Sequence, residues 1–129
     1  MFTHMCVGTD DLTRAKTFYD AIFAVFGANP GTLDAAKQRI VYRHDGASFL
    51  VGKPIDGSPA THANGGTVGF RATGPEQIDA WHAAGVAHGG TTCEDPPGLR
   101  TASNFYLAYL RDPDGNKLCA MHVMPKQES

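Results

Sequence analysis

Apolar and polar positions alternate from Phe2 to Gly8, with Phe2, His4 and Cys6 on one side and Thr3, Met5 and Val7 on the other. That two-residue period predicts a strand whose faces meet different surroundings. The period then lengthens. Leu12, Ala15, Phe18, Tyr19, Ile22, Phe23 and Phe26 recur at spacings of three and four, the stripe of an amphipathic helix. Asp10 and Asp11 offer N-caps suited to the positive helix end, and Gly27 offers a left-handed stop. Two short β-type runs follow, Arg39 to His44 and Ser48 to Gly52, joined by Asp45-Gly46, a pair that tolerates the positive φ angles of a tight hairpin. A shorter strand is expected near Thr32 and Leu33. The first unit therefore reads βαβββ.

The pattern returns 63 residues later. Met5 and Val7 fall on Val68 and Phe70, Phe18 on Trp81, Ala21 on Ala84, Ala24 on Ala87, Gly27 on Gly90 and His4 on Thr67. A strand is expected over Thr67 to Ala72, and then a helix with Pro75 and Glu76 in its first turn and a stripe of Ile78, Trp81 and His82 ahead of Gly85. Strands over Phe105 to Arg111 and Lys117 to His122 flank the turn Asp112-Pro113-Asp114-Gly115-Asn116, and Pro125 to Ser129 reads as a polar tail. The organisation expected is one domain over 1–129, with modules at 1–52 and 67–124 and a proline- and glycine-rich linker at 53–66. A site between the modules follows from that duplication.

Composition narrows the function classes. The chain has 129 residues, 42% hydrophobic and 19% charged, with a formal net charge of -2 and no run of Lys or Arg. Nothing in it forms the electrostatic footprint of a nucleic-acid or acidic-membrane binder. No apolar run reaches the roughly 20 residues of a membrane span, and the start MFTHMC lacks a signal-peptide pattern, so a cytoplasmic protein is expected. Cys6, Cys93 and Cys119 show no C-x-x-C spacing and suit reduced thiols. Asn64-Gly65-Gly66 and Gly89-Gly90 match no phosphate-loop pattern, and no serine sits in a nucleophile-elbow motif.

The strand with His4, the segment D-D-L-T-R-A-K-T-F-Y-D-A-I-F from Asp10 to Phe23, the loop P-P-G-L-R from Pro96 to Arg100 and F-Y-L-A-Y-L-R-D-P-D-G-N-K-L from Phe105 to Leu118 appear in an informative order. In that order they resemble the vicinal oxygen chelate superfamily, which includes glyoxalase I, bleomycin-resistance proteins and extradiol dioxygenases. The resemblance implies an α+β fold of two tandem βαβββ modules, their sheets curled into a U-shaped cup with helices on the outer face and a ligand site inside. It also implies a homodimer, in some relatives with modules paired across chains. Thr3, Met5 and Val7 then form the helix-facing row, while His4 and Cys6 face the cup.

In metal-dependent relatives a ligand comes from the first and the last strand of each module. Those places fall on His4, about Leu50, Thr67 and Cys119. Leu50 cannot coordinate and Thr67 is a poor donor, so His4 and Cys119 are the metal pair if an ion binds, short of three protein ligands. Cys6, His62 and His122 are the substitutes that the residues offer. No cofactor is expected, with zinc, nickel or iron the alternative.

The remaining site residues follow from chemistry and face. His4 is the expected acid or base, by intrinsic pKa and strand face. Cys119 is either an inert buried thiol or a nucleophile, with Lys117 the nearest base in sequence. Arg100 on its loop and Arg71 at the cup rim suit a carboxylate or enolate oxygen. Phe49, Leu50, Tyr106 and Met121, with Cys6 and Thr67, complete the expected ligand wall. Tyr109 and Trp81 are the other aromatics weighed for it. Three readings stand: a metal-free protein binding a small apolar or aromatic molecule, a metal-dependent lyase or isomerase of the lactoylglutathione lyase type, and a metal-free enzyme using His4.

Overall fold

The structure, a computed structural model, describes residues 1–125; of the expected polar tail, 126–129 lie outside the described residues. The first half runs β1 (His4–Gly8), α1 (Leu12–Ala24), β2 (Thr32–Asp34), β3 (Arg39–His44) and β4 (Ala47–Gly52). The second runs β5 (Val68–Arg71), α2 (Pro75–Ala87), β6 (Thr91–Thr92), β7 (Gly98–Arg100), β8 (Phe105–Arg111) and β9 (Lys117–Val123). Both helices begin and end 63 residues apart. The fold is α+β, two curled mixed sheets each carrying one helix.

The first sheet has the order β1-β4-β3-β2, with β1 parallel to β4 and antiparallel pairing elsewhere. In the second, β5 runs parallel to β9, which pairs antiparallel with β8; β6 and β7 both pair with β8. β1 pairs only with β4 and β5 only with β9. Each sheet thus leaves the long edge of its first strand unpaired among the described residues.

Local chemistry sets the element ends. Asp11 caps α1 by accepting the Arg14 N–H at 3.0 Å. Its far end is a Schellman turn: Ala28 N–H donates to Phe23 O and Gly27 N–H to Ala24 O, with Gly27 at φ 86°. The corresponding left-handed residue of the second module is Gly89, at φ 101°, and not the Gly90 expected from the alignment of the repeat. Gly85 does not stop α2 either. It is buried inside the helix, where an added Cβ would lie 2.3 Å from Leu110 Cδ1, so glycine is there to let α2 approach β8. Asp45 and Gly46 form the hairpin turn with φ 54° and 80°.

One core serves both halves. Phe18, Tyr19, Ile22 and Phe23 of α1 and Ile78 and Trp81 of α2 are buried with Ile40, Val51, Ala108, Leu110, Leu118 and Ala120 of the sheets. Phe23 stands edge-on to Phe49 and to Phe70, with centroids 5.3 and 5.2 Å away, so an aromatic cluster crosses from one sheet to the other. The linker is tied down rather than slack. Ala60 N–H donates to Asp10 at 2.7 Å, and His62 lies against Gly115.

Candidate functional site

Strand register sorts the side chains by face, since residues paired across a ladder share a side. On the first sheet His4 pairs with Ser48 and Cys6 with Leu50, on the face turned away from α1. His4 and Cys6 are exposed, and Leu50 is half-buried. Among the described residues the hydrogen-bond partner of the His4 ring is the Thr3 hydroxyl, 2.9 Å from Nδ1. Met5 and Val7 take the helix side as expected: Val7 packs on the core.

On the second sheet Gly69 and Tyr109 both pair with Cys119, and Arg71 and Leu107 both pair with Met121. These residues therefore form the face opposite α2. A groove of about 740 Å³ runs along its β5 side, bordered by Gly69, Arg71, Cys119, Met121 and Val123, with Asp45 of the other module at one end. Three sequence-nominated residues, Arg71, Cys119 and Met121, meet here. Gly69 leaves room, since nothing lies within 4 Å of a Cβ built on it.

Beside this groove the loop preceding β7 is fastened down. Glu94, at φ 56°, pairs with Lys117 Nζ at 2.6 Å, and that ammonium sits 4.9 Å from the centre of the Tyr109 ring. Lys117 is thus engaged by Glu94. Burial pushes Cys119 up from its ordinary value, outweighing the lowering effects of Tyr109, Arg100 and Lys117. A buried thiol held protonated is a poor nucleophile near neutral pH.

Several expectations are corrected. Phe49 is on the helix side, 93% shielded in the aromatic cluster, because it neighbours Leu50 in an alternating strand. Tyr106 pairs with His122, packs against the core and donates its hydroxyl to Asp79 at 2.8 Å, so it too is absent from the cup face. Arg100 is folded back on its own loop, donating to the carbonyls of Asp95, Pro96 and Gly98 at 3.0 to 3.2 Å. Its guanidinium pins the loop. Thr67 precedes β5 and is exposed. His122 donates from Nδ1 to Ala72 O, on the helix side of β9. Tyr109 is on the cup face, as is Phe105, and strand register is the signal that separates it from Tyr106.

The four positions that the metal-dependent pattern assigns hold an exposed imidazole, an alkyl chain, a hydroxyl and a buried protonated thiol. Among the described residues no three His, Cys, Asp or Glu side chains come together. This donor set does not fit a catalytic ion with three protein ligands.

The family model described as Glyoxalase/Bleomycin resistance protein/Dioxygenase superfamily matches residues 2–120. A crystal structure of a glyoxalase/bleomycin resistance protein from Albidiferax ferrireducens T118 is 55% identical and superimposes with a TM-score of 0.89, covering 97% of this chain and 99% of that one. A lactoylglutathione lyase from Agrobacterium tumefaciens shares the fold at 23% identity, with a TM-score of 0.66 over 94% of this chain and 92% of that one. A glyoxalase-related enzyme from Fulvimarina pelagi does so at 19% identity and TM-score 0.72, over 94% and 86%. No curated protein matches the chain.

Proposed function

The chain belongs to the glyoxalase/bleomycin resistance protein/dioxygenase superfamily, and from that premise we propose that it binds a small apolar or aromatic molecule on the cup face of its second sheet, without a catalytic metal. The observation that carries this reading is the groove in which Cys119, Met121 and Val123 supply apolar wall, Gly69 supplies depth and Arg71 supplies one cation. Ligand sites are largely apolar with a few placed polar groups, and this groove has that character. The Arg71 side chain makes no hydrogen bond or ion pair among the described residues, so its guanidinium is available to an anionic or carbonyl oxygen.

Acid-base chemistry has less support. His4 lacks an orienting partner beyond Thr3, and Cys119 is held as the thiol. The working unit in this proposal is a homodimer. The unpaired backbone edges of β1 and β5 are what a second copy would pair with. A reducing, cytoplasmic setting accords with three free cysteines, and no helix among the described residues is long and apolar enough to cross a membrane. Thermal unfolding of metal-depleted protein against a panel of aromatic and apolar compounds tests the reading.

A further inference from the structure

A second cavity, of about 450 Å³, opens on the other side of β5, where the helix-side faces of the two sheets approach one another. Its walls are Met5, Phe23, Phe26, Phe49, Val68 and Phe70, drawn from both modules. Phe70 stands 5.2, 5.6 and 6.1 Å from Phe23, Phe49 and Phe26, ring centre to ring centre, so the wall is held by aromatic packing before anything enters. A volume of this size falls within the range of small-molecule sites, about 300 to 1,000 Å³.

The polar groups at its margin differ in availability. Tyr42 already donates to Asp20, and the Gln77 amide already serves Thr73 N–H and Val25 O. Arg71, at the end of β5, borders this cavity as well as the groove, as does Asp45 of the β3–β4 turn, and among the described residues neither side chain has a hydrogen bond or ion pair. We propose that this cavity is a second ligand site, taking a planar aromatic molecule that carries a carboxylate. The ring system lies among the phenylalanines and the acid meets Arg71 at the mouth. The two sites share Asp45, Gly69, Phe70, Arg71 and Thr73, but Met5 and the other phenylalanines belong to this cavity alone and Cys119 and Met121 to the groove alone, so the methyls of Met5 and Met121 tell them apart.

Wild-type protein labelled at its methionine methyls and titrated with 1-naphthylacetate provides the test. Saturable binding is expected at one site per chain, moving the Met5 methyl and leaving that of Met121 in place. The neutral analogue 1-naphthylacetamide should bind at least tenfold more weakly, because it cannot form a charge-assisted pair with Arg71. Ala28→Phe, which fills the cavity, should weaken the acid at least tenfold, and Met121→Arg, which blocks the groove, should leave it within twofold. Absence of saturation, movement of Met121 without Met5, or unchanged affinity in a folded Ala28→Phe overturns the proposal. The methyl readout decides even where a variant does not fold.

Discussion

The hydroxyl of Tyr19, in the helix of the first module, donates to the carboxylate of Asp112, in the turn between the last two strands of the second, at 2.5 Å and out of contact with solvent. Asp112 also accepts from the Asn116 backbone and side-chain N–H groups and from Asp114 N–H. Nearby, Thr9 donates to Asp114 at 2.6 Å and Asn116 to Gly8 O at 2.9 Å. The modules are therefore joined by a buried polar network as well as by apolar contact, and the linker lies over the same junction. Tyr19→Phe removes one donor to a buried carboxylate. It should cost about 1 to 3 kcal/mol in urea unfolding with an unchanged m value, and a loss below about 0.5 kcal/mol would show that the bond is not structural.

Asp112 and Asp20 predict opposite dependences on pH. Burial raises Asp112 above the ordinary 3.8, against the bonds from Tyr19 and Asn116. The native state then binds more protons in the window from 3.8 up to the folded value, so this group's contribution falls as pH rises through it. For Asp20 burial acts upward, but bonds from Lys16, Gly31 N–H and Tyr42 outweigh it and hold the carboxyl below 3.8. Its contribution is present above 3.8 and is lost as pH falls through the folded value. Melting temperatures from pH 3 to 7 should show a shallower acid loss in Asp20→Asn and a steeper one in Asp112→Asn; the reverse order would refute both assignments.

Gly85→Ala should destabilise by about 1 to 3 kcal/mol, because its methyl would press on Leu110 at 2.3 Å and on Ile22 at 3.4 Å. The better helix propensity of alanine, about 1 kcal/mol, offsets only part of that. Gly69→Ala meets nothing within 4 Å and should stay within about 0.5 kcal/mol of wild type. Equal effects from the two changes, measured by chemical denaturation, would mean that α2 does not sit against β8 as described.

The three thiols should separate by rate. Cys6 is exposed, Cys93 half-buried and Cys119 buried with its thiol form favoured. With a chromogenic disulfide reagent at neutral pH, Cys6 should react first and Cys119 last, at least a hundredfold more slowly than after unfolding in guanidinium. Rapid native labelling of Cys119 would place it in an activating environment that this fold does not provide.

How far the sequence reached is clear from individual residues. β3 and β8 have the bounds that the sequence predicts, α1 carries its expected stripe, and α2 buries Ile78 and Trp81 of its own while His82 bonds Thr92 instead, because a long repeat of apolar positions is set by burial on one side. β6 and β7, two and three residues long in a segment with Pro96, Pro97 and Gly98, carry no period to detect. Gly85 misleads because a glycine chosen for close packing and one chosen for a left-handed turn look alike in a sequence. Phe49 and Leu50 cannot both line one face of a strand, so alternation alone separates them. Tyr106 and Tyr109 differ by ladder register, which pairing across the sheet fixes and a single sequence leaves open. Arg100 was found as a loop arginine, but its engagement by three carbonyls depends on the path of the loop.

The central claim is that the face bearing Arg71, Cys119 and Met121 holds a small molecule without an ion. Its most direct measurement is thermal unfolding of chelator-treated protein across a panel of aromatic and apolar compounds, for the wild type and for Met121→Arg, both in an Ala28→Phe background that closes the other cavity. At least one compound should give saturable stabilisation of the wild-type groove, about 2.7 kcal/mol at a hundredfold excess over Kd, that Met121→Arg abolishes. Stabilisation that appears only when zinc, nickel or iron is restored, or none from any compound, would contradict the account.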